Sequence, residues 1–209
     1  MASSTESTTT SQKHLHPYHD LSVSELEVND ATCEKIEQIT QEWETIAKDN
    51  AKQKDHESTF LSLFSLAGTM HFYMVLRKHD PKKFQKDWGK SKIFVCEDTR
   101  FLDHEIQAIA FVDMLEKENF VKISLLTTNP HNVRSELNKK NIRHVNGAGS
   151  AIIYYLANAF RQRIELLADN DAVEFYKKCG FEEGQKYELS KHTEMHLSVE
   201  KIQRLFQTA

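Results

Sequence analysis

The sequence predicts a mixed α/β domain in which a mostly antiparallel central sheet is flanked by helices, with a helical layer early in the chain. The first observation is the three- and four-residue spacing of Ile36, Ile39, Trp43 and Ile46, which is typical of an amphipathic helix. The second is a change of period near residue 92, where "KIFVCED", "EIQAIAFVDML" and "NFVKISLLTT" are rich in Val, Ile and Leu. The third is the short links between these runs, which favour antiparallel hairpins. Together they indicate a layered domain of sheet and helices.

Composition limits the classes of protein. A chain of 209 residues suits one domain, which we place at residues 14–209. Residues 1–13 are Ser/Thr-rich with almost no large apolar groups, so we expect them to be disordered. The formal charge of -4 argues against nucleic acid as a partner. Three scattered cysteines without a CxxC pair predict a reducing, cytoplasmic location and no disulfide framework or cysteine zinc site.

The longest apolar stretch is "FLSLFSLAGTMHFYMVL". It contains Ser, Thr, Gly and His between charged flanks, so it predicts a buried core helix rather than a membrane span. The Ser/Thr-rich start has no apolar core of the kind that a signal peptide requires. We therefore expect no membrane partner.

The early part of the chain predicts one strand and two helices. The run "HLHPYHDLSVSEL" fits an edge strand, where Pro17 is tolerated. Its histidines have no acid or cysteine at a suitable spacing, so no metal site is predicted. Asn29 or Asp30 caps the first helix, and a second helix from about residue 58 to 78 ends before Pro81.

The later part continues with alternating elements. After the third strand comes the polar segment "NPHNVRSELNKKNIRH", which we expect to be a surface loop or short helix. The run "NGAGSAIIYYLANAF" predicts a helix, "IELLAD" a strand and "DAVEFYKKC" a short helix closed by Gly180. The runs "FEEGQKYELS" and "TEMHLSVE" predict two final strands, which would place His192 and His196 on a strand rather than on a helix.

Two glycines at the start of a predicted helix suggest an anion site. Gly147 and Gly149 permit strained backbone angles and keep Cβ atoms away from a ligand. The free amides and the dipole of a helix N-terminus favour an anion, and Ser150 would cap the helix or add a hydroxyl contact. The segment has neither a full GxGxxG nor a GK[ST] sequence. The alternative is a plain loop in which glycine eases helix packing.

A second segment, "LLADNDAVEFYKKCGFEE", contains another motif, and the two motifs together resemble those of a known family. With the glycine turn it resembles the GNAT superfamily of acetyl-CoA-dependent N-acetyltransferases, over about residues 92–199. The family's Q/R-x-x-G-x-G/A is similar to "HVNGAG", and its A-x-x-F-Y-x-x-x-G-F is met by Ala172, Phe175, Tyr176, Gly180 and Phe181. Two positions depart from the pattern. The usual Gln or Arg falls on His144, with Arg143 beside it, and the Asn ahead of the second helix falls on Asp169, with Asn170 adjacent.

The resemblance implies a binding site for acetyl-CoA as a cosubstrate. The pyrophosphate would lie on the amides of a run that comprises Val145, Asn146, Gly147, Ala148, Gly149 and Ser150. Arg143 or His144 would reach a phosphate, and Asn170 would take the role of the family's asparagine. The pantetheine arm would run beside Leu125, Leu126 and Thr127, where family members splay two strands apart.

The resemblance also implies catalytic roles. Tyr176 would be the general acid that protonates the departing sulfur, with core packing as its alternative role. Phe175 and Phe181 are expected in the core. Candidates for the general base are Glu105 and Asp113, on the strand that commonly supplies it, with Glu97 facing them across the predicted hairpin. No metal is needed.

The function this implies is transfer of an acetyl group from acetyl-CoA to a primary amine of a small molecule, peptide or protein, by direct attack in a ternary complex. The expected partners are acetyl-CoA and an amine acceptor, for a monomer or homodimer. The first alternative is a catalytically silent domain of the same fold that binds CoA or scaffolds a partner. A second alternative is a nucleotide-binding domain. Such a domain has an acidic residue that binds the ribose at a fixed distance after the turn, and this sequence has none there.

Overall fold

A computed structural model describes residues 20–27, 29–50, 79–80, 82, 91–100, 105–115, 119–132 and 145–207, without the side chains of 47–50 and 115. The expected tail (1–13), the three early histidines, Pro17 and the second helix (58–78) lie outside the described residues. The described part begins with strand β1 (Leu21–Leu26) and helix α1 (Asp30–Asn50), whose N–H at Thr32 donates to the capping side chain of Asn29 at 2.9 Å.

The later elements follow the predicted order. Strands β2 (Ser91–Asp98), β3 (Ile106–Leu115) and β4 (Phe120–Thr128) precede a 3-10 turn (Pro130–Asn132). Helix α2 (Ala148–Phe160) and strand β5 (Arg163–Asp169) lead through a second 3-10 turn (Asn170–Ala172) to helix α3 (Val173–Lys178). Strands β6 (Glu182–Tyr187) and β7 (His192–Leu197) come next, and helix α4 (Val199–Gln207) follows them.

The described strands form one seven-stranded sheet in the order β1-β2-β3-β4-β5-β7-β6. Every neighbouring pair is antiparallel except β4 and β5. This arrangement confirms the predicted mixed, mostly antiparallel sheet. Helix α4 was not predicted, because we interpreted "TEMHLSVE" as strand to its end. The strand stops at Leu197, and the Ser198 hydroxyl accepts the N–H of Lys201 at 3.3 Å as a helix cap.

Each face of the sheet buries a separate apolar cluster. The larger cluster packs α2, α3 and α4 against one face and includes Phe94, Ile152, Leu156 and Leu166. The smaller packs α1 against the other face through Ile36 and Trp43, with Ile39 and Ile46 partly buried beside them. Alternate residues of a strand point to opposite faces of the sheet. A central strand such as β2 therefore contributes every second residue to the larger cluster and the residues between them to the smaller one. No described helix is long and apolar enough to cross a membrane.

Candidate active site

The parallel strands β4 and β5 separate part of the way along their length. Their pairing runs from Phe120 and Arg163 to Ile123 and Leu166, and there it ends. Both strands continue, β4 to Thr128 beside β3 and β5 to Asp169 beside β7. The facing edges of the two strands therefore diverge from a vertex at Ile123 and Leu166, and along these edges no described strand pairs with the main-chain groups.

A β-bulge in β4 lies at this vertex. The register with β3 passes from Phe111 opposite Leu125 to Val112 opposite Ile123, so Ser124 has no counterpart. A bulge re-aims the side chains that follow it. Leu125 packs towards the α1 cluster and Leu126 towards the α2 cluster, both half-buried, while Thr127 is buried. The three residues expected beside a pantetheine arm thus form one edge of the opening.

The glycine turn lies at the end of β4 that is away from the vertex. Gly147 is the N-cap of α2 with φ of 86°, a left-handed conformation that side chains disfavour. The first intrahelical bond runs from the Ala151 N–H to the Gly147 carbonyl, and none of the side chains in the described part of the chain caps the helix. The amides of Ala148, Gly149 and Ser150 therefore precede the helical hydrogen-bond ladder and are able to bind an anion.

Gly149 has a different reason to be glycine. A Cβ there would lie 3.2 Å from the ζ carbon of Phe175 and 3.3 Å from Cγ2 of Thr128. The side chain of Phe175 therefore lies against the first turn of α2. At Gly149 the alternative interpretation, a glycine that eases helix packing, accounts for the residue. Of the two glycines in the turn, Gly147 is the one with a left-handed backbone.

The amide of Val145 already has a partner. It donates to Oδ1 of Asn132 at 2.8 Å, so in this conformation it is not available to a phosphate. The side-chain amide of Asn132 donates to Oε1 of Gln107 at 2.7 Å, and Gln107 is buried. Sequence reasoning missed both residues, although a glutamine within the apolar strand "EIQAIAF" was a signal. Arg143 and His144 lie outside the described residues, and Asn146 is exposed at the turn.

Tyr176 is buried on α3. Its ring centroid lies 5.0 Å from that of Phe175 and 5.6 Å from that of Phe181. Burial raises the pKa of the Tyr176 phenol well above its usual range, and Cys179 and Asp169 raise it further. The phenol therefore keeps its proton at neutral pH, as a general acid must. Phe181 is buried, as expected, while Phe175 is only partly buried.

The regions around the two motifs are in contact. The hydroxyl of Ser150, in the first turn of α2, lies 3.5 Å from the sulfur of Cys179 at the end of α3. Asn170, in contrast, turns towards β7: its Oδ1 accepts the Thr193 hydroxyl at 3.3 Å and its N–H donates to the Lys191 carbonyl at 3.1 Å. Asn170 is thus held beside the β6–β7 hairpin.

The structure separates the two candidate bases. Asp113 accepts a hydrogen bond from the Ser91 hydroxyl at 2.5 Å and another from Ser124, the bulge residue at the vertex. Glu105 precedes β3 at its other end, eight positions away or about 26 Å along the strand. At this distance Glu105 and Asp113 cannot both act at the same reacting centre. Glu97 pairs across the hairpin with Ile106, at the Glu105 end of β3.

Glu105 instead borders a cavity of about 220 Å³ between α1 and the start of β3. Its Oε1 accepts the side-chain amide of Asn129 at 3.2 Å. The cavity has a mixed lining of charged, polar and apolar side chains: Lys35, Ile39, Glu42, Trp43, Ile46, Glu105, Ile106, Asn129 and His131. Among the described residues no group of three or more His, Cys, Asp or Glu side chains is placed to hold a metal ion.

Comparison with solved structures gives similarity to N-acetyltransferases. The chain is similar to a variant of the spermidine N-acetyltransferase of Vibrio cholerae, at 13% identity and TM-score 0.49, covering 91% of this chain and 99% of that one. Aminoglycoside 6'-acetyltransferase type Ii matches at 15% identity and TM-score 0.49, over 85% and 96%. The PaiA N-acetyltransferase of Thermoplasma acidophilum, in complex with coenzyme A, matches at 12% and 0.45, over 85% and 98%. No protein-family model and no curated protein matches the chain.

Proposed function

We propose that the chain is an N-acetyltransferase that moves an acetyl group from acetyl-CoA to a primary amine. The observation that carries the proposal is the opening between β4 and β5, which runs from the glycine turn to the bulge at Ser124. Ser124 and Thr128 are four positions apart on β4, about 13 Å along the strand. This is a suitable length for an extended arm between a diphosphate at one end and a thioester at the other.

The cofactor groups fit the chemistry of this segment. The amides of Ala148, Gly149 and Ser150 would bind the diphosphate at the positive end of the α2 dipole. The amide groups of the pantetheine arm would pair with the open edge of β4 at Leu125–Thr127, as an added strand does. Acetyl-CoA would supply the activated acyl carbon and a thiolate leaving group.

The acyl carbon would lie at the vertex. Asp113 is therefore the better candidate for the base than Glu105, because Asp113 lies beside the vertex and Glu105 lies at the other end of β3. An ammonium acceptor must lose a proton before its nitrogen attacks. That proton would pass to the Ser124 hydroxyl while the Ser124 proton passes to Asp113. The nitrogen then bonds to the carbonyl carbon, the carbon–sulfur bond breaks, and Tyr176 protonates the thiolate. The second proton that the nitrogen loses passes to water, from which the Tyr176 phenolate regains its proton. Main-chain amides freed by the bulge would stabilise the oxyanion.

Two measurements test the proposal. Calorimetric titration with CoA measures binding, and release of free thiol from acetyl-CoA with a panel of primary amines measures transfer. We expect CoA binding and amine-dependent thiol release. CoA binding without release for any amine would favour the silent domain of the same fold, and absence of binding would exclude both. Tyr176→Phe is the matched variant, because it removes the phenol oxygen and retains the ring that packs between Phe175 and Phe181.

A further inference from the structure

One face of β5, β7 and β6 lies opposite α3 and beside the β4–β5 vertex, and no described helix packs on it. Residues of these strands alternate, so that Leu166 and Met195 are buried while their neighbours point to the other side. Leu167, the first residue of β5 beyond the vertex, is 52% exposed on this face. Tyr187 of β6 is 37% exposed. Exposed apolar side chains beside a proposed reacting centre are candidates for contacts with a substrate.

Glu194 lies between these two side chains. It is directly opposite Leu167 in the β5–β7 register. The phenol of Tyr187 donates to its Oε1 at 2.5 Å, and the Gln185 N–H donates to its Oε2 at 3.4 Å. The carboxylate is thus held in place by two neutral donors and flanked by an aliphatic and an aromatic group.

The other carboxylates of this face have basic partners. Glu165 pairs with Arg163 at 2.8 Å. Asp169 pairs with His192 at 2.9 Å, and Glu182 pairs with Lys201 at 2.9 Å. Among the described residues no basic group pairs with Glu194. Its negative charge is therefore the least compensated on the face.

We propose that Glu194 binds the second ammonium group of an aliphatic diamine whose first amine is acetylated at the β4–β5 vertex. A carboxylate provides charge-assisted hydrogen bonds to an ammonium group. Leu167, on β5 between β4 and Glu194, contacts the methylenes, and the Tyr187 ring on the far side of Glu194 adds attraction for the cation. Because β7 is two strands from β4, its main chain lies about 10 Å from that of β4 at the vertex. The extended Glu194 side chain, a hydrogen bond of about 3 Å and a four-carbon diamine together cover this separation.

This inference rests on the proposed acetyl transfer, and the charges around the vertex agree with it. The basic side chains Arg163 and Lys122 lie on the paired half of β4 and β5, before the vertex. Beyond the vertex the face carries Asp169, His192 and Glu194. Because Asp169 is paired with His192, a diamine that reaches across β5 beyond the vertex meets Glu194 as the carboxylate without a described basic partner.

The experiment compares 1,4-diaminobutane with butylamine as acceptors for the wild-type protein, Glu194→Gln and Glu182→Gln. We expect the wild-type protein to have a KM about tenfold lower for the diamine. Glu194→Gln removes this preference with kcat almost unchanged and with CoA binding intact. Glu182→Gln is the matched control, because it neutralises a carboxylate on the same face that already has Lys201 as a partner. It retains the preference.

Calorimetric binding of 1,4-diaminobutane to the CoA-saturated protein gives a readout independent of turnover. We expect binding that Glu194→Gln weakens about tenfold and Glu182→Gln does not. Equal use of both amines by the wild-type protein, or a preference that survives in Glu194→Gln, would overturn the proposal. Failure of every amine with acetyl-CoA would instead overturn the proposed transfer, and the binding data alone would then decide whether Glu194 holds the diamine.

Discussion

Asn132 accepts a hydrogen bond from the main-chain N–H of Val145 at 2.8 Å, although the two residues are 13 positions apart. This bond joins the end of the 3-10 turn after β4 to the residue before the glycine turn. The chain between them is the polar segment that follows β4, so Asn132 fixes the distance between the ends of that segment. Gln107, buried on β3, holds the Asn132 amide from the other side at 2.7 Å.

We predict that Asn132→Ala weakens CoA binding about tenfold, because the Val145 N–H loses its acceptor and the glycine turn loses its attachment. Calorimetric titration with CoA measures the loss. Gln162→Ala is the control, since it removes an exposed amide that bonds Asn119 at 3.2 Å near the far ends of β4 and β5. An Asn132→Ala protein that binds CoA like the wild type would show that the turn is positioned without this bond.

The contact of Gly149 with Phe175 predicts an effect whose size depends on a second residue. Gly149→Ala places a methyl group 3.2 Å from the Phe175 ring and lowers the free energy of unfolding by about 1 kcal/mol. In a Phe175→Leu background the ring is gone and only the contact with Cγ2 of Thr128 at 3.3 Å remains, so the same change lowers the free energy of unfolding less. Denaturant unfolding of the four proteins measures the coupling. Additive effects would contradict the contact.

The bond between Ser124 and Asp113 predicts which carboxylate is the base. Asp113→Asn lowers kcat/KM about 100-fold because the amide cannot take the proton, and Ser124→Ala lowers it by a smaller factor. Glu105→Gln changes kcat/KM less than twofold, since that carboxylate lies about 26 Å away along β3. Thiol release measured across pH 6–9 provides the comparison. The reverse order of the two acidic variants would place the reacting centre at the cavity beside α1.

Tyr176→Phe tests the general acid. We expect kcat to fall about 100-fold, while the free energy of unfolding changes little because the ring remains. Burial raises the pKa of the phenol, so it stays protonated and its loss affects kcat equally at pH 7 and pH 9. Steady-state kinetics and denaturant unfolding on the same preparations separate the two roles. A variant as active as the wild type would leave Tyr176 a packing residue alone.

The cysteines predict a dependence of stability on pH. Burial first, and then the charges of Glu97 and Asp98, raise the pKa of Cys96 to about 12 from the ordinary value of 9.0. Burial also raises the pKa of Cys179. The unfolded chain loses these protons first, so the free energy of unfolding falls as pH rises above about 9. Denaturant unfolding at pH 7.5 and 10.5 measures this loss, and Cys96→Ala reduces it.

The same burial predicts that the three thiols, all buried and free, react with a disulfide reagent only after denaturation. Thiol titration of the native protein provides the check. Rapid reaction of a cysteine in the native state would contradict the buried placement of Cys33, Cys96 and Cys179.

The local patterns of the sequence predicted most of the helices and strands that the structure describes. The stripe of Ile36, Ile39, Trp43 and Ile46 predicted α1, and the structure packs it against the sheet. The change of period near residue 92 predicted β2, β3 and β4. Helix α4 was missed because the strand β7 runs into it with only Ser198 between them, and a serine cap is a weak signal beside a run of alternating residues.

The candidate site was predicted less completely. Gly147 needs a left-handed backbone, which the sequence indicates, but Gly149 is explained by a side chain 26 positions further along the chain. Likewise, no local pattern distinguishes Glu105 from Asp113, because both flank or lie on one strand. Their difference appears only when that strand is placed beside a bulge in β4 and a vertex with β5.

The sequence by itself determined the period of each element, the helix start at the glycine turn and the burial of the second motif, because these follow from side-chain spacing and backbone preference within a few residues. The tertiary structure alone decided where β4 and β5 part, which amide of the turn is already bonded and which carboxylate lies at the vertex. Strand register and long-range hydrogen bonds depend on the packing of distant segments, and their free energy is gained only when those segments meet.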